Sequence, residues 1–126
     1  MFLFDSNFVM DLEDEHTRDI VGPATKFLGT HRNQPHAVSI ISVGEFAAGA
    51  DDELAVRRFL GSFHWLALKE QIAFTAAEVD RELREDGHRL GENDNWIAGF
   101  GRYYSATVVT RDKAFERVRG LKVVRY

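Results

Sequence analysis

No cysteine occurs among the 126 residues. Disulfides, thiolate metal sites and cysteine nucleophiles are therefore excluded, and the absence fits a reducing compartment such as the cytoplasm. Proline is scarce, with only Pro23 and Pro35. No apolar run approaches the roughly 20 residues needed to span a bilayer, so no membrane association is expected. The opening Met1-Phe2-Leu3-Phe4-Asp5 has no basic stretch and meets an acid at once, unlike a signal peptide. Positive charge is also short: 16 Lys and Arg face 20 Asp and Glu, a formal net charge of −4. Such a chain does not hold a polyanion by bulk charge; it would need local basic patches or a bound cation. His16, His31, His36, His64 and His88 do not form an H-E-x-x-H spacing and read as surface or packing residues. Neither a G-x-x-x-x-G-K-[ST] nor a G-x-G-x-x-G phosphate loop is present, and there is no Ser-His pairing. Gly99-Phe100-Gly101 falls inside a helical stretch, where it allows close packing.

What the chain does contain is 44% hydrophobic and 29% charged residues, without repeats, which fits one globular domain over residues 1–126. Strand-like runs at 2–5, 37–41, 64–68, 106–110 and 122–125 alternate with helix-like ones. Ser6-Asn7 caps a short helix to about Leu12, and Pro23 starts another that carries Ala24, Phe27 and Leu28. Ser42 and Glu45 have the spacing of a capping box. Leu54, Val56, Phe59 and Leu60 mark a further helix, and Thr75 is a candidate cap for one carrying Ala76, Val79 and Leu83 and ending at Gly87. Residues 93–104 and 113–118 complete the helices, with 90–92 as a loop. The alternation predicts an α/β fold, a three-layer α/β/α sandwich around a mostly parallel sheet of about five strands.

Four acids share one kind of address. Asp5 closes the first apolar run, Glu45 follows the second, Asp94 opens the stretch Asn93-Asp94-Asn95-Trp96-Ile97-Ala98, and Asp112 follows Val108-Val109-Thr110. In a parallel sheet the strand carboxyl ends lie along one edge, where ligands bind. Each acid alone also has an ordinary account as a helix cap, a first-turn charge or a turn residue. Together they predict a convergent acidic site whose mutual repulsion a divalent cation relieves. Magnesium suits it, being a hard cation that takes oxygen ligands and keeps several waters.

These segments resemble the PIN domain, specifically the VapC-type toxins of toxin–antitoxin pairs. The resemblance is carried in order by Phe2-Leu3-Phe4-Asp5-Ser6-Asn7, Ser42-Val43-Gly44-Glu45, Asn93–Ala98, Thr110-Arg111-Asp112-Lys113-Ala114-Phe115 and Gly120–Val123. It implies a Mg²⁺- or Mn²⁺-dependent endoribonuclease leaving 5′-phosphate and 3′-hydroxyl ends. Asp5 and Asp94 would be the main inner ligands, with Glu45 and Asp112 holding metal waters or a second ion. Thr110 would orient the site by hydrogen bonding, and Ser6 and Asn7 would support Asp5. It further implies an RNA substrate, an antitoxin covering the acidic pocket, a homodimer, and contact with DNA only through the antitoxin. Gly44 departs from a good helix former just before Glu45, and Glu92 reads as a helix-start charge.

Arg102, Arg111 and Lys113 lie near the C-terminal acids, where they either contact phosphates or pair with acids. Phe8, Met10, Phe46, Phe59 and Leu60 read mostly as core, some as a groove for a partner helix. Two other readings stand beside the toxin. One is a PIN nuclease that is not a toxin, or a degenerate module that binds RNA or protein. The other is a haloacid-dehalogenase-like phosphatase with Asp5 as nucleophile, whose expected second acid is replaced by Asn7 and for which no cap domain fits.

Overall fold

Apolar runs of three or four residues build the sheet. In the computed structural model, which describes residues 1–126, β1 is Phe2–Phe4, β2 His36–Ser39, β3 His64–Leu66, β4 Thr107–Val109 and β5 Lys122–Val124. The helices are α1 Ser6–Thr17, α2 Pro23–Thr30, α3 Ile40–Ala48, α4 Glu53–Leu60, α5 Glu70–Glu85 and α6 Glu92–Tyr103, with a 3-10 helix at Lys113–Arg117. All strand pairs are parallel and the order is β3-β2-β1-β4-β5. No helix is long and apolar enough to cross a membrane.

The period-two pattern of the strands sorts two cores. Phe2, Phe4, Val38 and Val109 face one way, packing with Phe8 and Val9 of α1, Phe27 of α2, Phe46 of α3 and Leu60 of α4. Leu3 and Val108 face the other, against Ile72, Val79 and Leu83 of α5 and Ile97 and Phe100 of α6. Phe4 and Phe8 are fully buried, each worth about 1.5–3 kcal/mol of transfer free energy. Gly99 and Gly101 do allow close packing: a Cβ at 99 would stand 2.9 Å from Ala76 Cβ, and one at 101 would stand 2.8 Å from Val108 and Leu121 side chains.

Several boundaries differ from expectation. The second strand stops at Ser39, and Ile40 and Ile41 form the first turn of α3. The reason is the cap: the Ser42 amide donates to Ser39 Oγ at 3.1 Å, so the helix starts three residues early and no Ser42–Glu45 capping box forms. α5 likewise begins at Glu70, not Thr75, whose hydroxyl donates back to the Gln71 carbonyl at 3.0 Å. Glu92 belongs to α6, capped by Gly91, rather than to a loop.

α1 runs beyond Leu12 to Thr17 because Glu15, only 5% exposed, has an inward task. Its carboxylate accepts the amides of Gly22 and Thr25 at 2.9 Å and of Ala24 at 3.0 Å, capping the start of α2. Burial pushes the Glu15 carboxyl up, but the Thr25 amide and hydroxyl together with the Ala24 and Gly22 amides outweigh that and hold it below the usual range.

Strand order positions the site. The chain steps from β1 to β2 to β3 on one side, then returns to lay β4 and β5 on the other side of β1. The connections leaving β1 and β4 therefore diverge, opening a crevice at their carboxyl ends.

Candidate functional site

Asp5 is the first residue past β1 and the N-cap residue of α1, and it is 1% exposed. Thr110, the first residue past β4, donates its hydroxyl to Asp5 Oδ2 at 2.7 Å. The same Thr110 oxygen accepts the Asp112 amide at 3.0 Å, so one buried hydroxyl ties together both sides of the crevice. Burial raises the Asp5 carboxyl above its ordinary value, and Asp112 adds to this. Thr110 and the amides of Ser6 and Asn7 pull the other way, although no amide closes a cap hydrogen bond with Asp5.

Asp94 sits in the first turn of α6 and is half-buried. Its carboxyl is raised to about 6, first by desolvation and then by the negative charges of Asp5, Asp112 and Glu45. Asp5, Asp112 and Glu45 are thus each within electrostatic reach of Asp94, although the four come from separate stretches of chain. Glu45, in α3, has a buried Oε1 with no hydrogen-bond partner. A buried carboxylate oxygen without a donor is costly unless something positive completes it. Asp112 keeps its ordinary role too, since its Oδ1 accepts the Ala114 amide at 2.9 Å and caps the 3-10 helix.

The fit to a divalent ion follows from this donor set. All four groups offer hard oxygen, and one offers an orphaned oxygen, which is the preference of magnesium and manganese. No group of three or more His, Asp or Glu side chains is arranged as a ready-made cage.

Ser6 and Asn7 act on Asp5 through their backbone amides, while the Ser6 hydroxyl donates to Ser42 Oγ at 2.9 Å. The basic residues separate. Arg102 is committed to Glu82 and to the Arg119 carbonyl, at 2.8 and 2.6 Å. Arg111 pairs with Asp11 at 3.2 Å, and Asp11 also accepts the Tyr126 hydroxyl. Lys113 is exposed and forms no ion pair. Of the proposed groove residues, Phe8, Phe46 and Leu60 are core. An apolar cleft of about 380 Å³ does lie on α3 and α4, but Val43, Ala47, Val56 and Trp65 line it.

Sequence reasoning missed the buried serine cluster and the Glu15 cap, because hydroxyl and carboxylate partners 7 to 36 residues away leave no local pattern.

Residues 2–121 match the PIN domain family. No curated protein sequence matches the chain. Among solved structures, the chain is similar to VapBC2 from Rickettsia felis bound to a promoter DNA fragment, with 20% identity over 99% of this chain and 98% of that one and a TM-score of 0.80. It is also similar to DNA-bound VapBC from Salmonella typhimurium, with 25% identity over 98% and 96% and a TM-score of 0.73. A toxin–antitoxin complex from Klebsiella pneumoniae shows 25% identity over the same shares and a TM-score of 0.76. With the family match spanning residues 2–121, nearly the whole sequence, this chain belongs to the PIN domain family.

Proposed function

We propose that this protein is a divalent-cation-dependent endoribonuclease and the toxin of a VapBC-type toxin–antitoxin pair. The observation that supports the reading is that Asp5, Asp112 and Glu45 all act electrostatically on the half-buried Asp94 beside the reversal of strand order, adding to the rise that burial gives its carboxyl. The likeness to VapBC complexes supports the toxin role and an antitoxin partner.

Asp5 and Asp94 would hold Mg²⁺ or Mn²⁺ directly, with Glu45 and Asp112 holding its waters or a second ion. The ion, when bound, supplies charge neutralisation at the phosphate and acidity to a water. The protein's own contribution is orientation. Thr110 fixes the Asp5 carboxylate by its 2.7 Å hydrogen bond and the Asp112 backbone by its 3.0 Å one. The exposed Lys113 is placed to meet an RNA phosphate without first leaving an ion pair. Residues 1–126 act as one nuclease domain working as a cytoplasmic homodimer, and DNA is reached through the antitoxin.

Incubation of the purified chain with total RNA tests this reading. Cleavage is expected with Mg²⁺ or Mn²⁺, and loss of cleavage with EDTA and in Asp5→Asn or Asp94→Asn, whose circular dichroism stays native. Undiminished cleavage with every divalent ion chelated overturns it. The partner is tested by sequencing the flanking DNA for a small reading frame and co-expressing its product, which should co-purify and abolish cleavage.

A further inference from the structure

Ser6, Ser39 and Ser42 form a buried hydroxyl cluster, 7%, 0% and 1% exposed. Ser6 Oγ donates to Ser42 Oγ at 2.9 Å, and Ser39 Oγ donates to the same oxygen at 3.3 Å. Ser39 has an evident local task as the cap of α3. Ser42 does not, since its amide alone satisfies that cap.

The Ser42 hydroxyl instead joins two elements that carry acids. β1 and β2 are paired in register, Phe4 opposite Val38, so Asp5 and Ser39 are the next residues on adjacent strands. α1 starts at Ser6, directly after Asp5, and α3 starts at Ile40. Glu45 lies three residues beyond Ser42, on the same face of α3. The link therefore runs from Asp5 through the Ser6–Ser42 hydrogen bond to Glu45. It mirrors the link on the other side of Asp5, which runs through Thr110 to Asp112. Without it, α3 would be held near α1 by the shared apolar core to which Phe8, Val9, Val43 and Phe46 belong. The Ser6–Ser42 hydrogen bond adds a directional constraint to that packing, and a small rotation of α3 moves Glu45 relative to Asp5.

We infer that Ser42 is a positioning residue that sets the placement of Glu45 relative to Asp5, and so the affinity of the acidic site for its cation, through its hydrogen bond to Ser6. This inference rests on the proposed metal-dependent reading of the four acids. Partners that orient the ligands of a metal typically change its affinity by about 10–100-fold when removed.

Mn²⁺ binding to the whole protein, followed by isothermal calorimetry and by the loss of the free-ion electron paramagnetic resonance signal, provides the test without recourse to activity. Ser42→Ala is expected to weaken Mn²⁺ about tenfold. Ser6→Ala should weaken it in the same direction, and the double variant should be no weaker than Ser42→Ala alone, because Ser42→Ala already removes the bond to Ser6. Urea unfolding of the metal-free proteins separates stability from positioning. If Ser42→Ala does not fold, Ser6→Ala at the helix start interrogates the same hydrogen bond. A folded Ser42→Ala or Ser6→Ala with wild-type Mn²⁺ affinity, or a double variant whose loss is the sum of the singles, overturns the inference alone. Absence of Mn²⁺ binding by the wild type overturns the proposed function as well.

Discussion

Thr110 and Asp5 are 105 positions apart in the chain, yet the threonine hydroxyl donates to the aspartate carboxylate at 2.7 Å with both residues buried. Neighbouring parallel strands make this contact, since each residue is the first beyond its strand. Thr110→Val keeps the shape and removes the donor. It is expected to lower metal-free stability by about 1–3 kcal/mol, the usual cost of stranding a buried polar group, whereas Thr110→Ser keeps most of it. Urea denaturation of the three proteins side by side decides this; equal midpoints for Val and wild type would contradict it.

Asp94 gives a pH signature. Its folded pKa, about 6, lies above the ordinary value of 3.8. The folded state therefore binds the proton more tightly than the unfolded state. Below pH 3.8 both states are protonated and no penalty exists; between there and about 6 stability falls as pH rises, and above that the penalty is complete. Metal-free wild type should thus lose stability between pH 4 and 6 through this residue, and Asp94→Asn should lack that part of the slope. Thermal unfolding across this range in the presence of EDTA tests it. Bound cation competes with the same proton, so Mn²⁺ affinity should rise with pH up to about 6.

The four acids are expected to oppose stability and serve function. Asp5→Asn and Asp94→Asn should each abolish RNA cleavage and yet unfold at equal or higher temperature than metal-free wild type, because each removes one of four repelling charges. A melting temperature lowered by several degrees in both variants would indicate that the acids are structural.

Glu15 behaves in the opposite sense. Its carboxylate serves three amides at the start of α2, so Glu15→Ala should cost about 1–3 kcal/mol of stability. Its pKa is depressed, so its contribution is present above the unfolded value of 4.5 and lost as pH falls through the folded value. Wild type should show an acid-induced stability loss below pH 4.5 that Glu15→Ala lacks. Gly22→Ala should reproduce part of the defect, because its Cβ would stand 2.5 Å from Glu15 Cδ.

Gly44 precedes Glu45 in the middle of α3, and a Cβ there meets nothing within 4 Å. Gly44→Ala should stabilise the protein by about 1 kcal/mol, the difference in helix propensity, read as a raised urea midpoint. A lower midpoint would reveal a steric reason for glycine that the packing does not show.

The strand–helix alternation, the parallel sheet and the places of Asp5 and Asp112 just after apolar runs were legible in the sequence, because short runs such as Phe2-Leu3-Phe4 mark buried strands locally. Helix starts were less legible. Ile40 and Ile41 favour a strand by propensity, and only the Ser39 hydroxyl accepting the Ser42 amide assigns them to α3. A serine at 39 and a serine at 42 look equally suited to cap, and local pattern does not choose between them.

The sequence by itself determined the kinds of element, the faces they bury and the acids available at their ends, since these depend on side-chain chemistry and spacing along a few residues. Tertiary structure alone decided that β4 lies beside β1 rather than beside β3, bringing Thr110 to Asp5 and three further carboxylates to Asp94. Strand order is settled by which packed arrangement of α5 and α6 buries the second face, a sum over contacts far apart in the chain.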